Sequence, residues 1–332
     1  VRPDRTVVAT DTTLEEDARE IVILLDEKWT LVPIPFFSTD GESYQGGLIL
    51  IETNLLGFNK QLISAGFLGT DGLRGFVAYG DPSVLGSQWT TGLSAGIGRN
   101  EEERELPDGT LLRSYEYDQQ RLGATVGYNF TRRFSVSAGI GYERWELISG
   151  DPLEDGQFWE PEVSARYDAT RPVDVLRVGP SARLRARTVT YQSGWEVSAD
   201  AEWAFPVATT HRVRLTGSGA LGDMPVVAEQ VLGGDGYRTL PFQAVSADSW
   251  GSISTTYDLP IISGGWGALV LSHFWELGRY TTDNVDPRAF YGPGGGFRVY
   301  IRQVAIPALG LDVAYNIPDG GIAFSFSLGA QM

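Results

Sequence analysis

The segment that most constrains this chain is its end. Leu311, Val313, Tyr315 and Ile317 alternate with Gly310, Asp312, Ala314 and Asn316. After the turn Pro318-Asp319-Gly320, Ile322, Phe324, Phe326 and Leu328 alternate with Ala323, Ser325, Ser327 and Gly329. Successive side chains of a strand point to opposite faces, so the pattern predicts a hairpin with one large apolar face and one small, polar face. Two folds accept such a hairpin. A soluble sandwich buries the apolar face and wets the other, whereas a membrane barrel turns the apolar face to lipid and the small polar face to its lumen.

The rest of the chain favours the barrel. It has 332 residues, 41 of them Gly, 11% aromatic residues and no Cys. No window approaches the ~20 apolar residues of a spanning helix, but closed barrels cross membranes without one. The mean hydropathy of -0.12 agrees, since only alternate residues would face lipid. A formal net charge of -16 argues against a nucleic-acid partner, whose phosphates are neutralised by Lys and Arg. Alternation recurs along the chain. Phe134, Val136, Ala138, Ile140 and Tyr142 share one parity, as do Leu122, Ala124, Val126, Tyr128 and Phe130, and Trp195, Val197, Ala199, Ala201, Trp203 and Phe205.

Connections alternate in length. Short turns are expected near residues 57–60, 80–84, 129–132, 168–173, 207–211, 261–264 and 304–308, and longer loops near 100–110, 149–157, 221–241 and 278–288. Short turns on one rim and long loops on the other are the transmembrane-barrel pattern. The fold class is therefore all-β: a transmembrane antiparallel β-barrel of about sixteen strands, spanning 29–332, behind a short N-terminal extension, 1–28. A single helix candidate, Thr12 to Glu20, lies in that extension. Aromatics near segment ends, namely Tyr128, Phe130, Trp145, Trp159, Tyr167, Trp203, Phe205, Tyr257 and Trp266, suit interfacial girdles. The acidic run Glu101–Glu105 reads as a solvated external loop.

Charges gather on lumen parity. Arg183, Arg185 and Arg187 share one face of a segment, and Glu196, Asp200 and Glu202 share the corresponding face of the next. A turn near Tyr191 places Arg187 near Glu196 and Arg183 near Asp200. Glu160, Glu162 and Arg166 fall on the preceding strand. Cross-strand pairs of opposite charge stabilise such a ladder, which would be costly against lipid. Bracing of the lumen is the favoured reading; a substrate or ion path is the other.

Several short motifs, in order, resemble the BamA/TamA superfamily of bacterial outer-membrane assembly factors. Tyr237-Arg238-Thr239-Leu240, at the end of the long 221–241 loop, occupies the place of the Val-Arg-Gly-Phe/Tyr tip of the family's sixth external loop. Arg238 is kept; the Gly and the aromatic are not. Phe274-Trp275-Glu276-Leu277-Gly278 resembles the family's Phe-x-Asp-x-Gly strand, and Gly294-x-Gly296-x-Arg298 its Gly-x-Gly-x-Arg strand. Tyr167-Asp168-Ala169-Thr170-Arg171, Tyr257-Asp258-Leu259-Pro260, Tyr315-Asn316-Ile317-Pro318 and Glu27-Lys28-Trp29-Thr30-Leu31-Val32-Pro33 resemble further turns and strand ends of the family. The set covers about 300 residues.

The resemblance implies sixteen strands, a long sixth loop folded into the lumen, and a lateral seam where the first and last strands meet. It implies a loop lock in which Arg238 meets Glu276, with Tyr237, Gly294, Gly296 and Arg298 around it. The seam would run between the first strands, 32–39 and 46–55, and the last, 322–331, with Leu48, Leu50, Phe324, Phe326 and Gly329 along it. Family members typically carry periplasmic POTRA domains of roughly 75 residues. The 28 residues before the barrel hold at most a remnant, with Arg5–Ala9 and Ile21–Leu25 as its last hairpin. Either more sequence precedes this chain in the native gene or the protein has no complete POTRA domain. In the second case a periplasmic or membrane protein partner is expected to replace that function, or the function has diverged; outer-membrane lipids are expected partners in both.

Catalytic chemistry is not expected. His211 and His273 are the only histidines, and with no Cys the usual zinc ligand sets cannot be written. His273 reads as lipid- or rim-facing, and His211 as capping a short turn. The runs Gly233–Gly236 and Gly292–Gly296 lack the Lys-Ser/Thr and helix of a phosphate loop. No enzyme activity, metal or cofactor is expected. The role implied is insertion or translocation of polypeptides through a weak seam in the bacterial outer membrane. The alternatives are a lipid-handling barrel or a scaffold for a partner, and, less well supported, a plain diffusion pore.

Overall fold

The structure, a computed structural model, describes residues 30–39, 44–69, 72–105, 111–151, 155–207, 210–225, 228–233, 237–240, 245–281, 286–301 and 308–328. The expected N-terminal extension, with its helix candidate and remnant hairpin, lies outside them, as does Gly329.

Sixteen long strands make the wall: β1 (Leu31–Thr39), β2 (Tyr44–Leu55), β3 (Lys60–Gly69), β4 (Gly72–Asp81), β5 (Trp89–Glu105), β6 (Leu111–Asn129), β7 (Phe134–Asp151), β8 (Gly156–Asp168), β9 (Leu176–Thr188), β10 (Trp195–Pro206), β11 (Arg212–Asp223), β12 (Ser249–Gly264), β13 (Gly267–Thr281), β14 (Arg288–Ile301), β15 (Ala308–Asn316) and β16 (Gly321–Leu328). Each pairs antiparallel with the next from β1 to β16. Three shorter strands lie between them. Arg171–Val173 extends the β8–β9 hairpin, while Gln230–Leu232 and Val245–Ala247 pair with each other inside the long loop between β11 and β12. Among the described residues no ladder joins β16 back to β1.

Alternation sorts the faces as the barrel requires. Leu93, Ile97, Leu122, Ile140, Trp203, Ile253, Trp275, Leu311, Ile322 and Phe324 all point outward and are exposed. Their partners in register are outward too, because directly opposed residues share a face. Leu122 opposes Ala95 and Tyr142, and Phe324 opposes Val313. This outward belt is what a strand needs to sit in lipid.

Several connections differ from expectation. The acidic run Glu101–Glu105 is strand, not loop: β5 and β6 stay laddered past it, Glu101 opposite Glu116 and Glu103 opposite Ser114. With β7 these strands run to 17–19 residues, where ~9–11 cross a bilayer. The hairpin is therefore longer than a bilayer crossing requires. The β12–β13 turn falls at residues 265–266, just after the expected 261–264. Trp145 is no girdle residue: it is 1% exposed and stacks on Phe158 and Tyr191 inside.

Candidate functional site

The loop between β11 and β12 turns inward and packs on the lumen wall in two places. At its base, Met224 and Ala228 join Tyr115, Tyr117, Trp145, Phe158 and Val189 of the β6–β10 wall. Toward its tip, Leu232, Leu240, Val245 and Ala247 join Ala220, Trp250, Tyr280 and Phe290. Tyr237 stacks edge-on against Trp250, with centroids 4.9 Å apart. Strand parity explains these contacts, because each wall residue named sits on the inward face of its strand except Val189, which follows the end of β9.

Arg238 and Thr239, at the tip, are buried. The Arg238 guanidinium donates to Thr256 Oγ1 at 2.9 Å and Ser254 Oγ at 3.1 Å, lies 3.6 Å from an Asp312 carboxylate oxygen, and sits 3.5 Å over the Phe274 ring. The expected direct pairing with Glu276 is replaced. Glu276 accepts from the Thr239 amide at 2.8 Å and the Thr239 hydroxyl at 2.7 Å, through the same carboxylate oxygen. The reason is local: Thr239 presents two donors, its amide and its hydroxyl, and both occupy that oxygen. The arginine then turns to Asp312 on β15.

Asp312 also holds Arg298, which donates to its two oxygens at 2.7 and 3.3 Å. Arg298 donates further to Ser272 Oγ at 2.8 Å, and Ser272 donates to Asp258 at 2.6 Å. Asp258 receives Arg212, whose Nε lies 2.8 Å away. A buried polar chain thus crosses β11 to β15: Arg212, Asp258, Ser272, Arg298, Asp312, Arg238. Charge-assisted hydrogen bonds compensate burial from Arg212 to Asp312. The last link, to Arg238, is an ion pair at 3.6 Å, and Arg238 Nη1 and Glu276 Oε1 have no hydrogen-bond partner among the described residues. The glycines of the Gly294-x-Gly296-x-Arg298 strand have a steric reason. A Cβ on Gly294 would run into the Phe274 ring, and one on Gly296 into the Asp312 carboxylate. Sequence reading passed over Asp312, Asp258, Ser272 and Thr256. The available signal was parity, since Asp312 is the one charge on the inward face of the closing hairpin.

A second charged group lies on β8 to β10. Arg187 opposes Glu196 and Arg183 opposes Asp200, the register read from the sequence. Arg187 binds Glu196 in fork geometry, with both bonds at 3.0 Å, and reaches Glu160 at 3.2 Å. It also donates to the Ala228 carbonyl at 3.0 Å, tying wall to loop. Arg185 lies 3.2 Å from Glu196 and 3.7 Å from Glu162. Glu202 instead lies 3.6 Å from Arg214 on β11. Space remains beside these groups. A cavity of about 700 Å³ is lined by Ser94, Thr125, Glu143, Glu160, Arg187 and Gln230. The histidines take no part: His273 is exposed on the outward face, and His211 Nδ1 lies 2.5 Å from the Tyr257 hydroxyl while its carbonyl closes a turn to Val207.

At the seam, Leu48 and Leu50 do not form the edge. They lie on β2, paired to Pro35 and Pro33, and face outward; the edge belongs to β1. On the far side the outward Phe324, and Phe326 by register, lie on β16.

Sixteen consecutive antiparallel strands, a charged lumen and a loop drawn into it define a transmembrane β-barrel with an in-folded loop. Solved structures share this build. BamA from Haemophilus ducreyi lacking POTRA domains 1–3 matches 97% of this chain and 74% of its own, with TM-score 0.63 and 15% identity. CdiB from Acinetobacter baumannii matches with TM-score 0.64 and 14% identity over 92% of this chain, and CdiB from Escherichia coli with 0.65 and 12% over 89%. The chain spans 60% and 61% of those two CdiB chains. At such identities the likeness establishes the fold alone. No protein-family model and no curated protein sequence matches the chain.

Proposed function

We propose that this barrel resides in the bacterial outer membrane and assists insertion or translocation of polypeptides there, using the junction of β1 and β16 as a lateral seam. The observation that carries the reading is the missing ladder. Every other neighbouring pair of strands is zipped in register, while β1 and β16 are not joined among the described residues. An unladdered edge offers backbone groups to an incoming strand. The in-folded loop and its polar chain hold the β11–β15 wall rigid, so that movement concentrates at the seam. Barrels of the BamA and CdiB build lend the reading their fold; function, partner and localisation are our inference. A periplasmic or membrane protein partner would deliver the client. No catalytic constellation supports an enzyme. A second reading, a lipid-handling barrel or a scaffold for a partner protein, draws on the apolar patch on the inward face of the first four strands.

The test is a covalent staple, for which the cysteine-free sequence is suited. Cysteine pairs scanned across Leu31–Thr39 and Gly321–Leu328 should include at least one that crosslinks on oxidation, as Cα separations of ~4.4–6.8 Å allow. The oxidised barrel should stay folded and lose activity in a reconstituted insertion or translocation assay, and reduction should restore it. A stapled barrel as active as the reduced one would refute the seam and bring the second reading forward.

A further inference from the structure

The lumen wall has three sectors, and one carries an apolar patch. On β5–β7 one stretch of the inward face is small, with Thr90, Gly92, Ser94, Gly123, Thr125, Ser137 and Gly139, beside the larger Arg121 and Glu143. On β8–β15 the inward residues carry the charges described above. On β1–β4 the register gives two apolar rows, bracketed on the same face by Gln61 on β3 and Arg74 on β4. Inward parity passes from Ser94 to Ala78, then to Ile63, Ile51 and Val32; the next row runs from Gly96 to Phe76, Ala65, Ile49 and Ile34. The outward face of the same strands is also apolar, with Leu31, Leu48, Leu50, Leu68 and Val77 exposed. Strands apolar on both faces are the mark of a sheet covered on both sides. One cover is the bilayer. Among the described residues, the loop's buried apolar side chains join clusters on the β6–β10 and β11–β14 walls, and neither cluster includes a residue of β1–β4.

The edge of β1 narrows the choice of cover. Thr53 donates its amide to the Thr30 carbonyl, so the 30↔53 pair is a hydrogen-bonded one. Along β1 every second residue from Thr30 therefore turns its backbone to β2, and the residues between turn theirs to the seam. Those between are Leu31, Pro33, Pro35, Phe37 and Thr39, and two of the five have no N–H. An added polypeptide strand can pair at Leu31, Phe37 and Thr39 but finds no donor at Pro33 and Pro35. Hydrocarbon would lose nothing, and fewer unsatisfied donors make the edge cheaper to leave in apolar surroundings. The inner and outer apolar faces meet at this edge, so the lipid-facing surface is continuous with the inner wall through the seam.

We infer that the inward face of β1–β4, built on Val32, Ile34, Ile49, Ile51, Ile63 and Phe76, binds an acyl chain of a membrane lipid that enters through the seam. The site rests on the barrel fold and the unladdered edge and is independent of any polypeptide client.

Single cysteines at Ile49→Cys and Ile63→Cys, each labelled with an environment-sensitive bimane, test it in the full chain. Leu48→Cys is the lipid-facing reference and Thr125→Cys the wet-lumen reference. Each labelled barrel is reconstituted into phosphatidylethanolamine–phosphatidylglycerol vesicles containing lipids brominated on the acyl chains, after heat-dependent gel migration has confirmed folding. Bromolipid should quench the Ile49 and Ile63 probes at least twofold more than the Thr125 probe, and to within twofold of Leu48. Should either substitution prevent folding, Phe76→Cys, on the same wall and 44% exposed, takes its place. Quenching by aqueous iodide instead, at the level of Thr125, would mean a water-filled wall and overturn the proposal. Shielding from both quenchers would mean that polypeptide covers the wall, and would overturn it equally.

Discussion

Asp312 stands between two arginines, Arg298 within direct hydrogen-bond reach and Arg238 at 3.6 Å, and this arrangement decides what loop substitutions should do. Removing Arg238 deletes hydrogen bonds from a charged donor to Ser254 and Thr256, each worth ~1.5–3 kcal/mol when made. Arg238→Ala should therefore raise protease sensitivity between residues 221 and 241 while the barrel stays folded. In a double-mutant cycle, Arg238→Ala with Asp312→Asn should be clearly less than additive, by ~0.5 kcal/mol or more, because the two side chains are neighbours. Arg238→Ala with Glu276→Gln should couple less, since Thr239 holds that carboxylate. Equal coupling in both cycles, read by limited proteolysis, would show that the residue-level assignment is wrong. At this scale the sequence was only partly legible. Arg238 and Glu276 stood out through the family resemblance, and both are buried at the tip. The pairing between them was not legible, because one threonine hydroxyl at the tip redirects both partners.

Elements were easier to read than contacts. Arg187 opposite Glu196 followed from a turn position and strict alternation, since register leaves no freedom once one pair is set. Loop lengths were less legible. The stretches read as long external loops include strand extensions of β5 and β7, and on β5 charged residues hid the alternation that marks a strand in lipid. At the seam, Pro33 and Pro35 make an element-level prediction. Proline is tolerated on an edge, where it blunts pairing. Pro33→Val with Pro35→Val restores two donors on outward-facing, lipid-compatible positions. Each new backbone bond to β16 would contribute ~0.5–1.5 kcal/mol net. The double variant should unfold at higher temperature in a heat-modifiability series, and should insert or translocate clients more slowly than the parent. An unchanged midpoint would mean that these prolines do not limit the seam.

The whole molecule follows from the closing hairpin outward. Alternation, short turns and the lack of any long apolar helix pointed to a barrel of about sixteen strands, and sixteen long strands form the wall. The lumen was only partly foreseen. The closing hairpin has a small polar inward face, but that pattern does not extend to β1–β4, whose runs Leu31–Phe37 and Leu48–Ile51 are apolar or proline at every position. Alternation cannot report a strand covered on both faces. The central claim, an unladdered junction beside a fully laddered wall, is tested most directly by residue-resolved amide hydrogen exchange of the folded barrel in detergent. Within β1 alone, the seam-facing amides of Leu31, Phe37 and Thr39 should exchange at least tenfold faster than the amides of Val32 and Ile34, which turn to β2. Equal protection of both sets would mean that β1 is zipped on both edges, and would contradict the account.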